Sequence, residues 1–340
     1  MLPLTISAQD GLISQYDYFD KKIASINLTT YYILKNGEFA YNKSYSNGYP
    51  YGAIKRLDSF EEGALSSLYI CFCVSNIDSN YICYYFDSNK WNYEVKIISG
   101  EGARNHGLLN LTPSDFFNIR IFKPHTLEEQ CKISNFLELI YAKEKIINRK
   151  INILKKYKEG IEKYAYKFVE NQGSSIKFSD LFDNLIEKNN HKFQQYTTGK
   201  NGIKKIDEIN YDISNHKIFK KFNVIVGIGI DEIGINQDLE LSPVYDVYNI
   251  RNLKYFDSIY VTLKEQLWKK RNFITRKSTR REFEVDKYEL KKMMLRVVDN
   301  KDFTNVYQSI TNIKKVIEIL NFSFNNLKTI KSYILRHMFI

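Results

Sequence analysis

EEQCKISNFLELIYAKEKIINRKINILKKYKEGI, residues 128–161, decides how the rest of the chain is read. It holds no proline, and its one glycine, Gly160, sits at the end. Steps of four and three from Ile133 pass Leu137, Ile140, Glu144, Ile147, Ile151, Leu154, Lys158, Ile161 and Ala165. Eight of these ten positions are apolar, the pattern of a helix that lays one narrow seam against another helix. The same steps from Val306 pass Ile310, Ile313, Ile317, Leu320, Phe324, Leu327, Lys331, Ile334 and Met338, with nine of ten apolar. Each position is offset from its counterpart by 173 residues, and the polar interruption at Lys158 recurs at Lys331. Two helices in one register, half a chain apart, are an internal repeat. Each can run about 38–45 residues, or about 57–68 Å. One domain core seldom needs so long a seam, so the helices are expected to pack antiparallel on each other.

The repeat continues upstream of both helices. GALSSLYICF (63–72) matches LELSPVYDVY (239–248), and YYILKNGEF (31–39) matches HKIFKKFNV (216–224). LTISAQDGLI (4–13) matches QYTTGKNGIK (195–204), with Gly11 against Gly202. Short β-branched and aromatic runs between Gly, Asn and Asp predict strands and turns. The fold class is therefore α+β: two α/β domains separated by two long antiparallel helices, with a pseudo-twofold internal repeat. The predicted segments are a first domain over 1–123, a helix within 124–172, a second domain over 173–300 and a helix within 301–340. The halves meet near NQGSS (171–175). The second half opens with IKFSDLFDNLIEKNNHKF (176–193), which has no match in the first, so the first domain reads as truncated at its start. In that block Phe178, Leu181, Phe182, Leu185 and Ile186 recur at helical spacing, which predicts a helix with one apolar face docked on its domain.

Composition bounds the function. A chain of 340 residues with 44% hydrophobic and 26% charged residues is long enough for two globular domains. No run of 18 apolar residues is present to cross a membrane. The opening MLPLTISAQDG has neither the basic nor the apolar region of a secretory signal, so the expected compartment is the cytoplasm. Four cysteines (Cys71, Cys73, Cys83 and Cys131) give no disulfide framework. A zinc site would need a fourth ligand at suitable spacing, so they read as ordinary thiols and no metal is assigned. The net charge of +11 points to a polyanionic partner.

The densest basic stretch is LKEQLWKKRNFITRKSTRRE (263–282), with Lys264, Lys269, Lys270, Arg271, Arg276, Lys277, Arg280 and Arg281 against two glutamates. Such density neutralises phosphates, and Arg reads guanine bidentately; the plain alternative is a solvated basic face. Its counterpart in the first half is SGEGARNHG (99–107), where Arg104, Asn105 and His106 offer polar heads among glycines; the alternative is an ordinary glycine loop. AYNKSYSNGYPYG (40–52) adds Asn42, Lys43, Tyr45, Asn47 and Tyr49, suited to adenine, phosphate and thymine-methyl contacts, or simply to a turn. In the second half this tract becomes VIVGIGIDEIG (224–234), shorter and acidic, so the halves should read different sequences. GIGIDEIG lacks the glycine spacing of a nucleotide loop and any basic residue.

In order and in duplicate, these blocks resemble the specificity subunit of type I restriction–modification enzymes over nearly the whole chain. LTISAQDGLISQYDYFDKKIAS, YYILKNGEFAYNKSYSNGYPYGAIKRL, GALSSLYICF and EGARNHGLLNLTPSDFFNIRIFKP look like successive blocks of a target-recognition domain. HTLEEQCKISNFL and LKKYKEGI resemble the start and the Lys-rich end of that family's conserved helix, and LSPVYDVY and LKTIKSYILRHMF repeat the marks. The resemblance implies two target-recognition domains, each reading half of a split site on double-stranded DNA. It implies that the helices bind two methyltransferase subunits, with restriction subunits joining them. It implies no catalysis and no cofactor of the chain's own, S-adenosylmethionine, ATP and Mg being bound by the partners.

Two rival readings stand beside it. FDSNKWNYEVK (86–96) places Asp87, Glu94 and Lys96 at the D-x6-E-x-K spacing of metal-dependent nucleases, without the usual proline before the Asp. No Asn-Pro-Pro-Tyr or Asp-Pro-Pro-Tyr tetrapeptide marks a methyltransferase. A coiled-coil scaffold without DNA specificity explains the helices and leaves the basic stretch without a role.

Overall fold

The computed structural model describes residues 1–19, 30–99, 107–184, 246–276 and 284–339, together with the backbone of six strands between 195 and 241. The chain divides into two compact units, one of residues 1–149 with 321–340, the other of residues 150–320.

In the first unit, β1 (Pro3–Ser7) and β2 (Gly11–Ser14) form a hairpin, followed by β3 (Tyr32–Lys35), β4 (Phe39–Asn42), β5 (Ala53–Arg56), β6 (Glu62–Leu65) and β7 (Ile70–Phe72). One sheet runs β2-β1-β6-β3 and a second β5-β4-β7. Leu4 pairs in parallel with Leu65, and Tyr32 pairs with Leu65 from the other side. Phe39 pairs with Phe72 in the second sheet. Helices Ser79–Asp87, Asn92–Ser99 and Pro113–Phe117 complete the unit. Asp78 caps the first through the Tyr81 N–H, and Thr112 and Asp115 form a capping box on the third.

In the second unit the strands are β8 (Ser174–Lys177), β9 (Phe182–Asn184), β10 (Gln195–Gly199), β11 (Gly202–Lys205), β12 (Lys217–Phe219), β13 (Asn223–Gly227), β14 (Ile230–Ile233), β15 (Leu239–Leu241), β16 (Asp246–Ile250), β17 (Thr275–Arg276), β18 (Glu284–Val285) and β19 (Met294–Val297). The order β11-β10-β15-β12 repeats β2-β1-β6-β3, down to a parallel Tyr196–Leu241 pair flanked by an antiparallel Lys217–Leu241 pair. The second sheet runs β14-β13-β16-β9, with Val224 opposite Tyr248 where the first unit has Phe39 opposite Phe72. Both pairings fall where the sequence matches 31–39 with 216–224 and 63–72 with 239–248 place them. The first hairpin match slips by one residue. Ser7 closes on Gly11 and Gly199 on Gly202, so the second loop is one residue shorter and an ungapped alignment cannot fit both strands.

One expectation is overturned. Of residues 176–193, predicted as a single helix, only Phe178–Leu181 is helical; the rest of the described part belongs to β8 and β9. The apolar residues dock as expected, with Phe178, Leu181 and Phe182 buried. Strand pairing decided the backbone. Ile176 pairs with Leu295 and Phe182 with Ile250, so the ladders of two sheets take up backbone groups that a helix would have paired internally. Leu185 and Ile186 lie outside the described residues.

The two long helices are Leu127–Gln172 and Lys301–Met338. The first opens on a capping box: the Glu129 N–H donates to the Thr126 hydroxyl, which donates to the Glu129 carboxylate. Every position of both predicted seams is buried or half-buried. In the first unit Leu137 and Ile140 share a core with Leu327, Ile334, Leu335 and Phe339, so the start of one helix meets the end of the other. The Phe339 ring stands edge-on to Tyr81 and Tyr85, tying the helix end to the sheet domain. In the second unit Ala165 and Val169 pack with Phe303 and Val306, again end to start. The pairing is antiparallel in both units. The polar seam residues Glu144 and Lys331 form an ion pair, with the Lys331 ammonium also 4.3 Å from the centre of the Tyr141 ring.

Candidate nucleic-acid interface

The tract Asn42 to Tyr49 lies at the end of β4 and in the ten-residue connection to β5. Several bonds hold it. The Asn42 side-chain carbonyl accepts from the Ser44 N–H, Ser46 and Tyr49 exchange backbone bonds, and the Tyr41 hydroxyl donates to the Tyr51 carbonyl at 2.6 Å. Gly52 closes the loop with φ +82, and a Cβ there would sit 2.1 Å from the Asn42 carbonyl oxygen, so only glycine fits. Tyr45 and Asn47 point into solvent and are free to meet a ligand. Lys43 is not: its ammonium donates to the Leu111 carbonyl at 3.0 Å. Tyr49 lies under the Lys55 ammonium, 5.5 Å from the ring centre.

Two candidate tracts far apart in sequence meet here. The Tyr45 N–H donates to the Gly107 carbonyl, and Ser44 bridges Leu108. Arg104, Asn105 and His106 lie outside the described residues.

In the second unit the basic stretch is divided by the fold. Lys264, Lys269 and Arg271 are exposed on helices Phe256–Lys269 and Arg271–Ile274. Lys269 lies 3.8 Å from the centre of the Tyr166 ring, and the Arg271 guanidinium stacks 4.4 Å over Trp268 while donating to the Trp268 carbonyl. Lys270 donates to the Met294 carbonyl. These three therefore serve packing as well as charge. Thr275 and Arg276 pair with Val285 and Glu284 in a two-stranded ribbon. Lys277, Arg280 and Arg281 lie outside the described residues. The ribbon returns to a helix capped by Asp286, just as the 100–106 stretch returns to the helix capped by Thr112. The shorter tract predicted over 224–234 is the β13–β14 hairpin, in which Gly227 pairs with Ile230 across a two-residue turn.

Asp87 of the nuclease-like spacing is committed elsewhere. One Asp87 oxygen accepts from Lys55 at 3.0 Å and the other from the Tyr141 hydroxyl at 3.2 Å. Burial lowers the affinity of Lys55 for its proton, but the charge and hydrogen bond of Asp87, with Tyr49 and Cys83 nearby, together outweigh it and hold its pKa above the ordinary lysine value. Burial, reinforced by Asp87, drives the Tyr141 phenol well above its usual range. Asp87 thus anchors the sheet domain to the long helix. Among the described residues no group of three His, Cys, Asp or Glu side chains is placed to hold a metal. Burial pushes the half-buried thiols of Cys71 and Cys83 up to about 11 and about 12, while Cys73 is exposed. No helix among the described residues is long and apolar enough to cross a membrane.

The duplicated unit, with two long helices paired antiparallel in each half, defines a class of fold. It is the fold of a type I restriction–modification S subunit. The S subunit of that system from M. genitalium matches with a TM-score of 0.59 at 14% identity, over 90% of this chain and 84% of that one. A chain from a study of complex assembly and conformational transition of the type I R-M system matches over 99% of this chain and 90% of its own, at 10% identity and a TM-score of 0.49. The HsdS subunit from Thermoanaerobacter tengcongensis matches over 90% and 81%, at 12% identity and 0.42. No protein-family model and no curated protein matches the sequence.

Proposed function

We propose that this chain is the DNA-recognition subunit of a type I restriction–modification complex. Each unit reads one half of a split site on double-stranded DNA, and the chain directs methyltransferase and restriction subunits to that site. The observation that carries this reading is the duplicated fold it shares with the M. genitalium S subunit. The placement of the polar tracts supports it. Tyr45 and Asn47 stand exposed in the first unit, and Lys264, Lys269 and Arg271 stand exposed in the second. Phosphates would meet Lys277, Arg280 and Arg281, and base edges would meet Asn47, Asn105 and the arginines. The long helices offer two similar surfaces to two methyltransferase subunits. The chain supplies no catalysis; S-adenosylmethionine, ATP and Mg would be held by its partners, in the cytoplasm.

Co-expression with the methyltransferase subunits tests this. Mapping methylated adenines on plasmid DNA should return one motif of two short blocks around a fixed gap. Methylation without a bipartite motif, or unchanged when this chain is left out, would refute the assignment.

A further inference from the structure

Half-buried side chains of the first unit link the candidate loop to both long helices. Lys55 follows the loop on β5, where it pairs with Ala40 of β4. Its ammonium lies 5.5 Å from the centre of the Tyr49 ring, within the loop, and donates to one Asp87 oxygen at 3.0 Å. Asp87 ends the helix Ser79–Asp87, and its other oxygen accepts from the Tyr141 hydroxyl at 3.2 Å. The Tyr141 ring in turn faces the Lys331 ammonium at 4.3 Å, and Lys331 pairs with Glu144. Tyr141 and Glu144 belong to the helix Leu127–Gln172 and Lys331 to Lys301–Met338. Along this chain a cation meets a ring face, a carboxylate meets a cation and a phenol, and a second cation meets the phenol's ring, so every neighbour is complementary.

The repeat marks the same place on the second long helix. Lys314 is the equivalent of Tyr141 at the offset of 173, and its ammonium donates to the Tyr260 hydroxyl at 3.1 Å. Phe72 and Tyr248 correspond by strand register, and twelve residues beyond them stand Tyr84 and Tyr260. The Tyr84 ring lies 5.0 Å from that of Tyr141. Each unit therefore ties one position of its long helix to one position of the helix that follows its second sheet, with different residues on the long helix. Apolar packing would hold two helices together at that place. A hydrogen bond adds direction, because it constrains an angle as well as a distance.

We propose that Lys55, Asp87 and Tyr141 are positioning residues for DNA recognition: through them the helix pair holds Tyr49, and with it the exposed Tyr45 and Asn47, in one orientation. This role rests on the DNA-reading function proposed above. Contacts to base edges need their side chains placed within about 0.5 Å, and supporting partners hold them there. A ten-residue connection is long enough to shift unless its base is tied down, and the Lys55–Asp87–Tyr141 chain ties it to the stiffest element of the unit. Selectivity for one half-site then depends on residues that need not touch DNA.

Two variants of the full chain test this. Asp87→Asn keeps the shape and removes the charge, and Tyr141→Phe keeps the ring beside Tyr84 and Lys331 and removes the hydroxyl. The Tyr45, Tyr49 and Leu109 N–H groups donate within the loop and at its base. In Asp87→Asn these amides should exchange about tenfold faster than in the parent, and in Tyr141→Phe by a smaller factor, with the β1–β2 hairpin amides unaltered. Equal acceleration of loop and hairpin, or of neither, would overturn the proposal. In anisotropy titrations on the site mapped by methylation, both variants should lose about threefold or more of the discrimination at one half-site and keep it at the other. A discriminating parent with unaltered variants would refute the positioning role alone. A parent without half-site discrimination would refute the proposed function, and the positioning role with it.

Discussion

The two units share one frame and differ at three places. β4 and β5 are joined by ten residues, β13 and β14 by two. Residues 174–184 bridge two sheets of the second unit, and no described residues of the first take that place. The helix seams carry the third difference. Glu144 pairs with Lys331 across the two helices, but the repeat equivalent of Glu144 is Ile317, so Lys158, the equivalent of Lys331, has no acidic seam partner and instead bonds Glu162 one turn along its own helix at 3.0 Å. Strand order and pairing register are retained because a one-residue slip would turn each core face outward. Connections and polar seam positions tolerate change, and those are the places where the two units diverge on one scaffold.

The strongest challenge to this common frame is a charge in both seams. Ile151→Asp with Leu327→Asp places one carboxylate in the seam portion of each unit. A loss of about 3 kcal/mol or more is expected, because an unpaired charge is being buried. Unaltered thermal unfolding of the double variant would end the model of packed helices.

The two proposed DNA-contacting tracts should respond differently to substitution. Replacing Arg276, Lys277, Arg280 and Arg281 with glutamine should flatten the salt dependence of DNA binding by about 0.9 unit of slope per lost phosphate contact. Tyr45→Ala with Asn47→Ala should leave that slope nearly intact and instead relax selectivity for one half-site, by about 1–3 kcal/mol per lost base contact. Anisotropy titrations at several salt concentrations separate the two, and equal slopes for the parent and the fourfold variant would reduce the basic stretch to a solvated face.

A smaller effect distinguishes the seam pairs. Glu144→Gln leaves Lys331 half-buried without its carboxylate and should cost about 1–3 kcal/mol in denaturant unfolding. Glu162→Gln removes only a contact within one helix and should cost about 0.3–0.5 kcal/mol. Equal losses would show that the cross-helix pair has no special weight.

The mildest difference should appear in amide exchange. β7 is an edge strand and β16 is flanked on both sides, so β7 amides should exchange about ten to a hundred times faster. Comparable protection would mean that β7 is not a free edge.

What the sequence determined by itself was whatever repeats locally. The four–three spacing marks residues that must share one face of a helix wherever that helix lies, and all twenty seam positions are at least half-buried. The Thr126–Glu129 capping box and the matched strand blocks are legible for the same reason, since spacing along the chain fixes them. The tertiary structure decided what depends on neighbours remote in sequence. Phe178, Leu181 and Phe182 have helical spacing, but β16 and β19 offer open backbone edges and draw the flanking chain into strands. Lys43 looks like a phosphate ligand until the fold brings the Leu111 carbonyl to its ammonium. Asp87 looks like a metal ligand until Lys55 and Tyr141 occupy both its oxygens. A cavity beside Ile121 has no mark in the sequence, because it forms only where residues from β7, helices and the 119–121 segment converge.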